Sequence, residues 1–138
     1  MKLKVIACIG FFLVVLIISC QSDQEIEFKR YYSAGSLTYQ IHCQNCHGVN
    51  GEGLNNLIPP LTDSVFLKTN KTVVACFIKF GLKEKITISG KSFNEKMPPN
   101  DLPPIEIANV LTYVTNSFGN KLGTINEQQV ESYLSKCK

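Results

Sequence analysis

The sequence predicts an all-α fold, helices wrapped around one covalently bound group, with one short β-hairpin. Apolar residues recur at helical spacing in two segments: Val73, Val74, Phe77 and Ile78 in the first, and Ile107, Val110, Leu111, Val114 and Phe118 in the second. That is the period of a helix with one buried face. A single tight-turn signal, Ser89-Gly90 between Lys85-Ile86-Thr87-Ile88 and Lys91-Ser92-Phe93, marks the hairpin. The bound group is announced by Cys43-Gln44-Asn45-Cys46-His47. This is C-x-x-C-H, the pattern that attaches haem through two thioethers.

The first element is an export segment. Lys2 and Lys4 precede an uncharged run from Val5 to Ile18, and Ile17-Ile18-Ser19-Cys20 closes it. Fourteen residues fall short of the roughly 20 that cross a bilayer. A basic start, a short apolar stretch and a small residue before the break describe an export signal. Its end resembles a bacterial lipobox, which implies cleavage before Cys20 and lipid on that thiol and the new amino terminus. Residues 1–19 are therefore read as signal peptide, 20–32 as a lipid-anchored tether and 33–138 as the folded domain. The competing reading is an uncleaved membrane anchor. Either way the domain is exported and held at a membrane, facing the periplasm or the cell exterior. Several acyl chains anchor stably where one binds only reversibly.

Gln21 to Tyr32 is polar and charged, without an apolar period. Ser33 is the expected cap of the first helix, in which Gly35, Leu37, Tyr39 and Ile41 lead to the haem cysteines. Gly48, Gly51 and Gly53 break it and open a loop through Pro59-Pro60. A short helical turn after Thr62 or Asp63 holds Val65, Phe66 and Leu67. Asn70 opens and Gly81 closes the helix with the first apolar stripe. Beyond the hairpin, two adjacent prolines keep Met97-Pro98-Pro99 extended. The late helix starts near Pro104, which suits a first turn, and Glu106 complements its dipole. Gly119 is expected to stop it. A last helix, about 126–136, carries Val130, Tyr133 and Leu134.

At 138 residues the chain has room for one small domain. Without Lys2 and Lys4, 12 basic residues face 11 acidic ones, a formal balance of +1. That is no nucleic-acid-binding charge. Lys68, Lys71, Lys79, Lys83, Lys85, Lys91 and Lys96 nevertheless gather against only Glu84 and Glu95. They read as a solvated surface, and their local excess of one sign also suits docking of an acidic redox partner. The six cysteines sort without remainder. Cys8 leaves with the signal, Cys20 takes lipid, and Cys43 and Cys46 take haem. Cys76 and Cys137 are left in a compartment where disulfides persist. A bridge between them would tie the C-terminal tail to the middle of the fold, worth on the order of 2–4 kcal/mol.

His47 follows Cys46 directly and is expected beneath the iron as proximal ligand. Once the signal is removed, one methionine remains, Met97, and one other histidine, His42. His42 immediately precedes Cys43 and is delivered on the proximal side. Met97 lies 50 residues beyond His47, in a loop with ample reach to the other face. A thioether opposite an imidazole favours reduced iron relative to two imidazoles. Two covalent links and two axial ligands leave no open position, so the expected function is outer-sphere electron transfer, not enzymatic catalysis.

Gly35-x-x-x-Tyr39-x-x-x-Cys43-x-x-Cys46-His47-Gly48, Gly51-x-Gly53, Pro59-Pro60-Leu61, Gly90 ahead of Met97-Pro98-Pro99, and Glu106 to Val114 follow one another in this order. Together they resemble a class I monohaem c-type cytochrome of the small exported bacterial kind, over about Ser33 to Lys138. The resemblance implies the cytochrome c fold and one haem c bound through Cys43 and Cys46. It implies a crossing of the first and late helices at Gly35, Tyr39 and Tyr113. It also implies a carbonyl of the Pro59-Pro60-Leu61 segment accepting the His47 Nδ1–H, which fixes the ring. Pro59 matches best, its neighbour Pro60 stays open, and Leu61 counts among the cofactor-binding positions. One departure is Pro103-Pro104, where relatives often start the late helix with Ser or Thr. Glu106 thus lacks the hydroxyl partner of a capping box.

Other chemistries fit less well. A labile Met97 would make a small-ligand sensor, but no distal polar residue stands out. A thioredoxin-like dithiol needs a βαβ context that the chain lacks, and a zinc site at Cys43, Cys46 and His47 lacks a second ligand cluster. The expected partners are membrane-associated respiratory reductases or oxidases. The domain suits equally a free relay or the electron-delivering subunit of such an enzyme.

Overall fold

The computed structural model describes residues 23–137. The expected signal peptide over 1–19, the expected lipid on Cys20 and the start of the expected tether lie outside the described residues. In chain order come the helices α1 (Asp23–His42), α2 (Gln44–His47), α3 (Ser64–Thr69) and α4 (Lys71–Phe80). The strands β1 (Ile86–Ile88) and β2 (Lys91–Phe93) follow, then α5 (Pro104–Val114) and α6 (Glu127–Leu134). The protein is mostly helical with a two-stranded antiparallel sheet. Ser89 and Gly90, both at positive φ (48° and 76°), make the hairpin turn, as right-handed strand twist favours.

Helix α1 departs most from its sequence reading. It begins at Asp23 instead of Ser33, so most of the expected tether is helix. Asp23 and Glu25 favour its N-terminal end, and Lys29 pairs with Glu25 one turn away at 2.8 Å. Tyr31 is buried, and its hydroxyl accepts from the Glu127 N–H at 3.3 Å. The buried residues of α1 are Tyr31, Gly35, Thr38 and Tyr39, a narrow face at i, i+4, i+7 and i+8. Leu37 and Ile41, the apolar neighbours of Tyr39 along the helix, are 62% and 70% exposed. On a helix a spacing of two turns a side chain to the far side, so 37, 39 and 41 cannot be buried together.

The core forms where α1 crosses α5. Gly35 permits the approach, since a Cβ there would overlap the Asn109 carbonyl oxygen and lie 2.8 Å from Tyr113 Cβ. Tyr39, Tyr113 and Phe118 close round the crossing with ring centroids 5.3–5.8 Å apart, the range in which tilted aromatic pairs attract. Helix α5 buries Ile107, Ala108, Val110, Leu111 and Val114. It stops at Val114, well before Gly119, because Thr115 Oγ1 and Asn116 Nδ2 donate to the Leu111 and Thr112 carbonyls, each at 2.7 Å. Such side-chain bonds compete with another helical turn. Phe118 therefore lies outside the helix. Asn126 and Gln129 form a capping box at the start of α6, and Cys76 of α4 is disulfide-bonded to Cys137, Cα atoms 5.8 Å apart.

Candidate functional site

Helix α1 ends at His42, and the C-x-x-C-H motif continues it for one more turn. Cys43 N–H donates to Tyr39 O at 2.9 Å, and His47 N–H to Cys43 O at 2.9 Å. The Tyr39 hydroxyl closes the turn by donating to Gly48 O at 2.6 Å. Sequence reasoning cast Tyr39 only as a packing residue, and this bond makes it also the clasp of the motif. Burial pushes its hydroxyl pKa far up, which keeps that donor protonated. Cys43 and Cys46 are free thiols, one half-buried and one exposed. Burial, then the neighbouring Cys46, pushes the Cys43 thiol up to about 11.

The two thiols, His47, Pro59, Leu61 and Met97 all line one cavity of about 450 Å³. Its remaining walls are largely apolar, with Ile78 of α4, Ile88 of β1 and Leu111 of α5 among them. Few polar groups in an apolar hollow of this size suit a bound cofactor. His47 Nδ1 lies 3.1 Å from Pro59 O, so Pro59 and not Pro60 is its partner. A carbonyl can only accept, so Nδ1 carries the proton and the neutral ring leaves its Nε2 lone pair free. Burial pushes the imidazole pKa down, and the Pro59 bond partly opposes this. The neutral form is the one that ligates a metal.

Met97 is held by its backbone. Met97 N–H donates to Leu82 O at 2.9 Å, and Leu82 N–H returns a bond to Met97 O at 2.8 Å. Gly81, at φ 78°, lets the segment close in, because a Cβ there would sit 2.5 Å from Met97 O and 2.9 Å from Pro99 N. Asn100 N–H then donates to Ile78 O at 3.0 Å, docking the far side of the proline pair onto α4. None of Leu82, Gly81 or Asn100 was singled out as a site residue by sequence. Gly81, read only as a helix stop, was the available signal.

Asp63 also lines the cavity. It caps α3 by accepting from Phe66 N–H at 2.9 Å and takes a second bond from the Ser89 hydroxyl, tying α3 to the hairpin turn. Those bonds hold its carboxyl below the ordinary 3.8. Among the clustered lysines, Lys79 is committed elsewhere, to Asp101 Oδ1 at 3.0 Å and Leu102 O at 3.1 Å. His42 lines the cavity as well, directly before Cys43. Two free thiols at the rim, a neutral imidazole and a thioether facing one apolar hollow fit a covalently attached haem.

Residues 32–114 match the family described as cytochrome C oxidase, cbb3-type, subunit III, and the chain belongs to this family of cytochrome c domains. Such domains are electron carriers, not enzymes. The chain is also 30% identical over 103 residues to the alcohol dehydrogenase (quinone), cytochrome c subunit, of Gluconobacter oxydans (strain 621H). The match covers 72% of this chain and 21% of that protein, so the chain spans about a fifth of that relative's length. Among the described residues no helix is long and apolar enough to cross a membrane.

Proposed function

We propose that this protein is an exported class I monohaem cytochrome, its single haem c bound at Cys43 and Cys46 and ligated by His47 and Met97. When bound, the haem supplies a one-electron couple at its iron. The observation that carries the reading is that both thiols, the imidazole and the thioether line the same apolar cavity. Pro59 fixes the His47 tautomer and ring orientation, which raises the basicity of a ligating nitrogen. The paired bonds to Leu82 hold Met97 in place without a loop having to order first. Cys46 is exposed, so the attachment edge lies where a partner can approach, and the exposed Lys68, Lys83, Lys85, Lys91 and Lys96 form the proposed docking face.

In this reading residues 1–19 are a signal peptide, lipid on Cys20 holds the protein at a membrane facing the periplasm or exterior, and α1 belongs to the cytochrome domain. Electrons pass between membrane-associated respiratory partners. The names of the matching family and of the Gluconobacter relative both describe subunits of larger enzymes, which favours a second reading, an electron-delivering subunit within such an assembly.

The test is an optical spectrum of the exported holoprotein, oxidised and reduced, with and without carbon monoxide. A low-spin c-type spectrum indifferent to carbon monoxide is expected. A carbon monoxide shift would replace the closed electron carrier with a labile Met97 and a small-ligand sensor. No haem spectrum from a host competent in haem attachment would end both readings.

A further inference from the structure

The turn after α5 carries two residues that the electron-transfer reading does not use. Phe118 sits at φ 57°, an uncommon backbone for a bulky residue, and Asn120 is 2% exposed. Asn120 Nδ2 donates to Leu61 O at 2.8 Å and to Val114 O at 3.0 Å. Its Oδ1 is buried with no hydrogen-bond partner among the described residues. The two carbonyl acceptors fix which way the amide points, since the flipped amide would set Oδ1 against two carbonyl oxygens. Both amide hydrogens are thus committed, and the side chain is placed for its two donor bonds.

One of those bonds satisfies a carbonyl at the end of α5. The other spans 59 residues to the loop on the His47 side. Leu61 stands two residues from Pro59, whose carbonyl holds His47 Nδ1. Leu61 N–H donates to Gly51 O at 2.7 Å, and the Phe118 ring lies against Gly51, where a Cβ would come 2.5 Å from Phe118 Cδ2. One turn thus grips both arms of the 51–61 loop, Phe118 on Gly51 and Asn120 on Leu61.

We propose that Asn120 is a positioning residue for His47. By fixing the Leu61 carbonyl it sets the Pro59 carbonyl against the Nδ1–H, and with it the donor strength of the imidazole. This rests on the His47 ligation proposed above. The experiment compares Asn120→Ala with Thr112→Val in the haem-loaded protein. Thr112 is a matched control, fully buried, its hydroxyl bonded to Ile125 O and Ile125 N at 3.0 Å each, with no bond to the 51–61 loop. Both variants should melt at lower temperature. Asn120→Ala alone should also alter the g values of the low-spin ferric electron paramagnetic resonance spectrum and raise the reduction potential. A weaker Nδ1–H bond leaves the imidazole a poorer donor to oxidised iron. The oxidised-to-reduced ratio should change about tenfold, the low end of what such outer partners are worth, or ~59 mV for one electron. An Asn120→Ala protein that melts lower with unchanged potential and g values would overturn the proposal. Where Asn120→Ala does not accumulate, Asn120→Ser, with one short donor, is judged by the same criteria. Wild-type protein lacking haem, or with another proximal ligand, would overturn the ligation itself before any variant is compared.

Discussion

Replacing Gly35 by alanine tests whether α1 and α5 meet backbone to backbone. In an exposed helix the change stabilises by about 1 kcal/mol, the propensity difference between the two residues. At the crossing it adds a Cβ that overlaps Asn109 O, lies 2.5 Å from Asn109 C and 2.8 Å from Tyr113 Cβ, where ordinary contact begins at 3.4 Å. Two of those obstacles are helix backbone, so no side chain can swing aside. The helices must part by roughly 1 Å, a gap that forfeits up to about half of each dispersion contact across the seam. Overpacking of this kind costs about 1–3 kcal/mol, and a backbone obstacle belongs at the upper end. Subtracting the propensity gain leaves about 2 kcal/mol of destabilisation. For a domain of this size that is a fall in Tm of roughly 8 °C. Thermal unfolding followed by circular dichroism of the holoprotein measures it. A Gly35→Ala protein that melts at or above the wild-type temperature would mean the propensity gain prevails and the crossing is not close.

Met97→Ala should open the iron to carbon monoxide, read as a spectral shift absent from wild type, and an unchanged response would remove Met97 as ligand. Replacing Cys76 and Cys137 together by serine frees a loop with a sequence separation of 61, which chain entropy values at about 4 kcal/mol. The denaturant midpoint should fall while the haem spectrum persists, and equal midpoints would show that the bridge does not stabilise. Asp63→Ala should cost about 1 kcal/mol for the lost cap and flatten the acid limb of the stability profile. The folded carboxyl is held below 3.8 by its bonds to Phe66 N–H and Ser89. Its contribution is therefore complete above 3.8 and drains away as pH falls through the depressed value. Equally steep acid limbs in variant and wild type would refute it.

Where the apolar pattern was strong, the sequence reading of the fold was close. Asn70 and Gly81 bracket α4, Pro104 opens α5, and the hairpin turns at Ser89-Gly90. It went astray where burial is narrow. Six of residues 23–32 are charged or amide side chains, and a helix that buries one tyrosine in ten residues has no stripe to detect. What holds it is tertiary: Tyr31 against the start of α6, and the Tyr32 hydroxyl 3.0 Å from Ser117 Oγ. Packing of this sort overrides local propensity. The end of α5 was misplaced for a related reason, since Thr115 and Asn116 capture carbonyls that only a folded backbone presents.

The site divides along the same line. Cys43, Cys46 and His47 sit within one helical turn, so their spacing alone conveys their arrangement. Met97 was singled out by elimination, because no other thioether remains once the expected signal is removed, and it lines the same cavity as His47. The supports of the two proposed axial residues, His47 and Met97, were mostly not legible, because each is a backbone contact across the chain. Pro59 O was anticipated through a resemblance to a family, not through spacing. Leu82, whose backbone pairs with Met97, adds only one more apolar side chain to the cavity wall, and its N–H and C=O would be the same in any residue but proline. Gly81 is the exception, since φ 78° and the close Met97 carbonyl restrict that position to glycine. Apolar substitution at Leu82 should therefore be tolerated while substitution at Gly81 is not, even though Leu82 makes the hydrogen bonds. Sequence displays side-chain chemistry, and this half of the site is held by main chain.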